Sequence, residues 1–303
     1  MLLRERLRFV KWHGFDTKRS RDTINGSLWL APSFLGVAMF YIIPFFVIVF
    51  YSVIDNPLRR NFVFLDNFIA LFNNQAFMLA AANTLRFSLI AVPLAVVLSL
   101  LIALMLEARI PLRSYFRTFF LSPLMVPVAS VVLIWQVLFH HNGAVNELIL
   151  LFGADNIDWM QSEFNQLVVV TLFLWKNLGF FMILFMAALS NIPRELLETA
   201  DVEGAGPIRK LFAIKMRYLS PTLLFVTILS LINSFKVFRE VWLLTGDYPY
   251  GGLYMLQHFM NNIFRSLDYQ RLAAAAVVMT IAMVLIIAIL FIAENRYGRD
   301  VEE

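Results

Sequence analysis

Two clusters of polar side chains stand where the sequence is otherwise apolar: Lys176 and Asn177 in one, Asn233, Ser234 and Lys236 in the other. Ammonium, amide and hydroxyl groups at membrane depth are costly and tend to face a bundle interior, so each is a functional candidate by default. Amides and hydroxyls beside aromatic rings suit a sugar, whose hydroxyls need partners and whose ring faces stack on aromatic side chains. Trp135, Trp175 and Phe235 supply such rings, and Gln136 supplies another amide. The competing assignment is structural. Asn and Ser then act as interhelical hydrogen bonds, Lys176 and Lys236 snorkel or pair, and Trp135 and Trp175 belong to the aromatic belts at the membrane surface.

Other chemistries are poorly provided for. The chain has no cysteine, which removes thiol catalysis, disulfides and Cys-ligated zinc. His13, His140, His141 and His258 have no partners at metal-ligand spacing, and no phosphate-cradling G-x-x-x-x-G-K loop occurs. Nucleophile, base and orienting group form no recognisable set. The expectation is a chain that binds no cofactor or metal, cannot hydrolyse ATP by the phosphate-loop route and has no catalytic residue.

The elements that must carry these residues follow from composition. Of the 303 residues, 60% are hydrophobic and 15% charged, against about 45–50% and about 25% in ordinary soluble domains. Six apolar stretches are long enough to cross about 30 Å of hydrocarbon as helices: 28–53, 87–105, 118–139, 167–189, 218–235 and 272–293. Uninterrupted runs exclude the alternating pattern of a membrane β-barrel. Pro44, Pro93, Pro123 and Pro127 fall inside the runs and fit either ordinary membrane-helix packing or helices bent around a pathway.

Lys and Arg concentrate in the arm at 1–27, the loop after the second run, the loop after the fourth and the tail at 294–303, whereas the alternate loops hold few. The positive-inside rule therefore places both termini and the loop at 191–217 in the cytoplasm. The basic charge fits this orientation, not a nucleic-acid partner. The arm mixes Leu2, Leu3, Leu7, Phe9, Val10 and Trp12 with bases, a composition suited to lying on anionic lipid.

The loop at 191–217 reads NIPRELLETADVEGAGPIRKLFAIKMR. Pro193 starts a helix where its missing donor costs nothing, Glu195 and Glu198 complement the dipole at that end, and Gly204 stops it. Pro207 opens a second short helix expected to run to about Ile214. Leu196, Ala200, Ile208, Leu211 and Phe212 are expected to form an apolar ridge, which on a polar loop signals a docking surface.

Glu198-Thr199-Ala200, three further residues, Gly204, nine more and Ile214-Lys215-Met216 resemble the EAA loop of the permease subunits of bacterial ABC importers. Thr199 stands where a second Ala is usual, Glu203 where Asp often precedes the glycine, and Arg217 where the motif closes with Pro. The carbohydrate-uptake permeases of the maltose and glycerol-phosphate type are similar over about residues 28–293. Phe64-Leu65-Asp66-Asn67-Phe68 resembles their G-L-D-N-F, with Phe64 in the glycine position. Asn83-Thr84 resembles their N-T pair, and Phe238-Arg239-Glu240-Val241 to Thr245-Gly246 also fits.

The resemblance implies an all-α polytopic membrane protein with six transmembrane helices and the type I importer permease fold, in a bacterial inner membrane. It further implies a non-catalytic subunit of a binding-protein-dependent carbohydrate importer. A second permease, by family practice a different chain, would complete the pore; two ATPase subunits using ATP and magnesium would drive it; an extracytoplasmic binding protein would deliver the solute. Glu195, Glu198, Thr199, Ala200, Gly204, Ile208, Phe212 and Ile214 become the ATPase-coupling residues. Trp135, Gln136, Trp175, Lys176, Asn177, Asn233, Ser234 and Lys236 remain the pathway candidates. A secondary carrier or membrane enzyme is the alternative that composition alone leaves open, although 28–139 and 167–293 show no self-similarity of the inverted-repeat kind.

Overall fold

A computed structural model describes residues 29–107 and 112–297. The basic arm at 1–27 and the end of the tail lie outside the described residues. Apolar residues recur on every side of the long helices, as expected of segments surrounded by lipid and by one another.

Helix α1 (Trp29–Ser52) is almost wholly exposed along its apolar length. It contains a π-helical turn at Ala38–Ile42, directly ahead of Pro44; a proline that cannot donate is often accommodated by such a local widening. A short helix α2 (Asp66–Phe72) follows, then α3 (Gln75–Glu107), which continues through Pro93 without a break. At 33 residues α3 is about 50 Å long, longer than the roughly 30 Å of hydrocarbon a span must cross.

The third apolar run is not one straight span. Helices α4 (Arg113–Met125) and α5 (Val128–Leu138) are bent by 101° at Val126-Pro127. Pro127 occupies the N-cap of α5 with extended ψ, and proline restricts the residue before it to extended backbone, so the chain turns there. The described residues therefore contain five continuous candidate spans and one broken one. Helix α6 (Ala144–Leu151) and a loop lead into α7 (Asn165–Ser190), the central helix of the bundle.

Helices α3, α7 and the later α10 share the main core, in which Phe87, Ala91 and Ala95 meet Phe173, Phe181, Met182 and Phe185. Phe87 and Phe173 pack edge to face with centroids 5.6 Å apart, a geometry favoured by the ring quadrupoles. Helix α4 lies against α7 at Gly179, where a Cβ would sit 1.9 Å from the Phe120 carbonyl oxygen. A small residue is what lets two membrane helices approach so closely.

The fifth span departs from expectation. After α8 (Arg194–Val202) and a glycine turn, α9 (Pro207–Lys210) passes through a π-helical turn at Leu211–Lys215 directly into α10 (Met216–Lys236) and on to α11 (Phe238–Thr245). The second loop helix and the fifth span, expected as separate elements meeting near residue 217, form one rod. A 3-10 turn at Gly251–Leu253, helix α12 (Leu256–Arg265) and the last span α13 (Tyr269–Tyr297) complete the chain. Helix α13 packs on α1 and α2 on one side and on α10 and α12 on the other.

Candidate functional site

Two places carry unsatisfied chemistry: a cleft beside α7, α10 and α11, and the loop that α8 and α9 form at the other end of the rod.

The cleft encloses about 230 Å³ and is lined by Leu124, Leu172, Phe173, Lys176, Asn177, Asn233, Lys236, Val237, Arg239 and Glu240. Lys176 and Asn177 lie near the middle of α7, about 18 Å from either end at the rise of an α-helix. Asn177 donates to the Phe173 carbonyl at 2.8 Å and accepts from the Asn233 amide at 3.0 Å. The Lys176 ammonium donates to the Glu240 carboxylate, which is buried. Leu124, in the last turn before the α4–α5 bend, closes one wall.

Of the eight pathway candidates, the structure gathers Lys176, Asn177, Asn233 and Lys236 in this cleft. Ser234 points elsewhere: its Oγ lies 2.8 Å from Ser88 Oγ on α3 and bonds the Leu231 carbonyl, so it is interhelical glue. Neither tryptophan lines the cleft. Trp135 is buried, donates to the Val168 carbonyl at 3.4 Å and packs 5.2 Å from Trp175, with Phe139 and Trp159 alongside. This aromatic cluster ties α5 to α7 and holds Trp135 away from the cleft. Gln136 is exposed and donates to the Leu243 carbonyl at 3.4 Å, linking α5 to α11. Phe235 faces a separate apolar groove between α3, α10 and α13.

Arg239 and Glu240 are the cleft residues that sequence reasoning missed as site residues, because they follow the apolar run and were read only as part of a family match. A signal was present: a lysine inside a span demands an anion, and Glu240 is the acid nearest the end of the neighbouring run.

In the loop, α8 ends in a Schellman arrangement. Ala205 N–H donates to the Ala200 carbonyl at 2.8 Å and Gly204 N–H to Asp201 at 3.1 Å, with Gly204 at φ +76°. Left-handed backbone at C′ is where glycine is favoured. Lys210 pairs with Asp201 at 2.5 Å, joining the two helices across the turn, and Lys215 pairs with Glu107 at the end of α3 at 2.5 Å. Glu195, Glu198, Thr199, Ile208 and Phe212 are all exposed. Thr199 uses its hydroxyl internally, donating to Glu195 at 2.8 Å.

One ridge residue and one further coupling candidate turn inward. Ala200 is buried, since the chain returning after Gly204 folds over it, and Ile214 packs against the main core. The exposed apolar face consists instead of Ile208 and Phe212, with Leu196 and the unforeseen Val202, which is 89% exposed.

With this geometry in hand, comparison with known proteins defines the class. Residues 95–303 match the family described as binding-protein-dependent transport system inner membrane component, and the chain belongs to that family. It is thus a multi-pass permease component of an ABC-type importer in an inner membrane. It is similar to the sulfoquinovosyl glycerol transport system permease protein of Agrobacterium fabrum, 28% identical over 85% of this chain and 86% of the relative. It is also similar to the trehalose/maltose transport system permease protein of Thermococcus litoralis, 27% identical over 92% and 96%. A crystal structure of a bacterial ABC transporter that imports the acidic polysaccharide alginate shares the fold, with TM-score 0.79 at 20% identity over 93% of this chain and 98% of that one.

Proposed function

We propose that this chain forms one half of the pore of a carbohydrate importer, with the cleft at Lys176, Asn177, Asn233 and Lys236 on the solute pathway and the 191–217 loop docked on a separate ATPase subunit. Both termini and that loop then lie in the cytoplasm, as the basic residues suggest. A second permease completes the pore, a binding protein delivers the solute on the opposite side, and ATP and magnesium act only at the ATPase.

The observation that carries this reading is the continuity of α9 with α10. Ile208 and Phe212, on the exposed loop face, and Asn233 and Lys236, in the cleft, belong to the same helical rod. The distance along it is about 40 Å at the α-helical rise. Movement of a docked loop would shift the cleft wall directly, the kind of rigid displacement that alternating access needs. The Lys215–Glu107 pair would couple the same movement to α3.

Gly204→Ile tests the coupling. A β-branched residue at φ +76° disfavours the left-handed turn by about 1–2 kcal/mol or more and should misalign α8 with α9. The expected outcome in proteoliposomes carrying the whole transporter is ATP hydrolysis that no longer rises with solute and binding protein, with the spans still inserted. Normal stimulation in that variant would rule out the loop as the coupling element.

A further inference from the structure

We propose that the cleft selects solutes bearing a negative charge, such as a carboxylate, sulfonate or phosphate on a sugar, with Lys236 and Arg239 as the anion-contacting residues; this rests on reading the cleft as part of the pore.

The charge balance of the lining is one-sided. Lys176, Lys236 and Arg239 face a single acid, Glu240. Glu240 is already committed: it is 6% exposed and accepts from Lys176, which makes that pair neutral as a unit. Lys236 and Arg239 are exposed to the cleft, and no carboxylate among the described residues lies within ion-pairing distance of either. The three-residue spacing puts both on one face at the junction of α10 and α11. They stand opposite apolar walls at Leu124, Leu172 and Phe173, where field lines are less screened than in open water.

Beside the cations sits a polar rail suited to sugar hydroxyls. Asn177 is fixed by its bond to Phe173, and it fixes Asn233, whose carbonyl oxygen has no partner among the described residues. A hydroxyl of a sugar ring would donate to the Asn233 carbonyl oxygen while the acidic substituent reaches the Lys236 ammonium and the Arg239 guanidinium. Arg in particular presents a planar fork that matches a carboxylate or phosphate with two parallel hydrogen bonds. At about 230 Å³ the cleft is smaller than the roughly 300–1,000 Å³ of typical ligand pockets, as expected where a second permease supplies the other wall. The relatives do not fix the charge in advance, since one is named for a sulfonated sugar derivative and the other for trehalose and maltose.

The chain's lack of cysteine permits a direct reading of the cleft's potential in the assembled transporter. Asn233→Cys is exposed to two methanethiosulfonates of similar size, one carrying a sulfonate and one a trimethylammonium, and labelling of this chain is followed by mass spectrometry. Relative to a free thiol, the sulfonate reagent should react faster by about tenfold, the scale of one unit charge acting at close range in a partly screened site. Adding Lys236→Gln and Arg239→Gln should bring the ratio near one. In parallel, ATP-dependent uptake by the full transporter is measured for size-matched pairs, digalacturonate against galactobiose and glucose 6-phosphate against glucose. The acidic member of a pair should be taken up, and the double variant should lower that uptake by about tenfold or more, as loss of charge-assisted hydrogen bonds implies. Equal labelling by the two reagents overturns the proposal. Preferred uptake of a neutral sugar also overturns it, because the partner permease would then be supplying the counter-charge, and the importer reading would stand. Charge-selective labelling with no uptake of any probe would instead retain the cationic, anion-attracting cleft and count against a carbohydrate cargo.

Discussion

The two ends of the molecule treat polar groups in opposite ways. At the 251–268 end many polar side chains are used up inside the chain, although the buried His258 Nε2 has no partner among the described residues. Asn83 donates to the carbonyls of Gly251 and Tyr254 at 2.6 and 3.0 Å, Thr84 accepts from Leu256 N–H at 2.8 Å, and Gln166 donates to Gly252 at 2.9 Å. At the 191–217 end the charges and apolar side chains of α8 and α9 mostly point outward, and among the charged and hydroxyl side chains described there only Asp201, Lys210, Lys215 and Thr199 find partners within the chain. The family-like Asn83-Thr84 pair holds the first stretch and the EAA-like motif lies in the second, yet one motif is internal scaffolding and the other offers a surface. A motif match therefore locates a constrained residue, and only its hydrogen-bond partners tell whether the constraint is structural or functional.

The sharpest way to break the scaffolding end is Asn83→Ala. The amide bridges two carbonyls of the irregular segment ahead of α12, and removing it leaves both without that donor in a partly buried place. Each orphaned group costs about 1–3 kcal/mol. The expected result is loss of fixed structure at residues 250–256, seen as faster amide hydrogen exchange and new protease cleavage there, with the 191–217 loop unaffected. Equal loosening at both ends would mean that the two regions are not independent.

Much of this arrangement was legible in the sequence. The apolar runs located every span, because a bilayer admits only helices of about 20 residues whose backbone groups are internally satisfied. Pro127 marked the place where the third run breaks, although the 101° bend depends on packing against α7 that no local signal encodes. The continuity of α9 with α10 was hidden, since Arg209, Lys210, Lys215 and Arg217 end the apolar window while the hydrogen bonding carries on through a π-helical turn. At the cleft, residue type picked out Lys176, Asn177, Asn233 and Lys236. The same criterion also admitted Ser234 and Trp135, whose partners on neighbouring helices satisfy them. Pairing across 64 residues, as between Lys176 and Glu240, becomes visible only when the helices are in place.

A milder perturbation of the same end is acid. His258 is fully buried between Phe238 and Tyr254, with ring centroids 4.7 and 5.9 Å away, and its Nδ1 accepts from the Met255 N–H. Burial pushes its pKa down from 6.5 to about 4, against a weaker upward pull from Asp247. Asp247 is itself held below its ordinary value, chiefly by the Trp242 indole and then by Arg265. Because the folded state keeps His258 neutral while an opened state would take up a proton near pH 6.5, stability is complete above about 6.5. It falls as the pH drops from about 6.5 to about 4. Hydrogen exchange across α12, corrected for intrinsic rates, should therefore speed up between pH 7 and pH 5. His258→Gln should remove most of that pH dependence; if the acid loosening persists in the variant, another group is responsible.

The smallest effect concerns a strained position in the remaining scaffold motif. Asn67 seals the end of α1 by donating to the carbonyls of Ser52 and Ile54 at 3.0 and 2.9 Å, which satisfies groups that a helix terminus leaves open. To aim Asn67 there, the chain turns through Phe64 at φ +47°, in the left-handed region where a side chain costs about 1–2 kcal/mol. Phe64 is 61% exposed, and its ring meets Phe62 at 5.9 Å in a tilted pair, so little burial offsets the strain. Phe64→Gly should relieve it. Glycine also loses more freedom on folding, by roughly 0.5–1 kcal/mol, so the net gain should be small, below about 1 kcal/mol, and should appear as a slightly higher thermal midpoint in detergent. A clear loss of stability would show that the ring is held by a surface absent from the isolated chain, such as the second permease, and Phe64 would then belong with the outward-facing residues of the 191–217 loop.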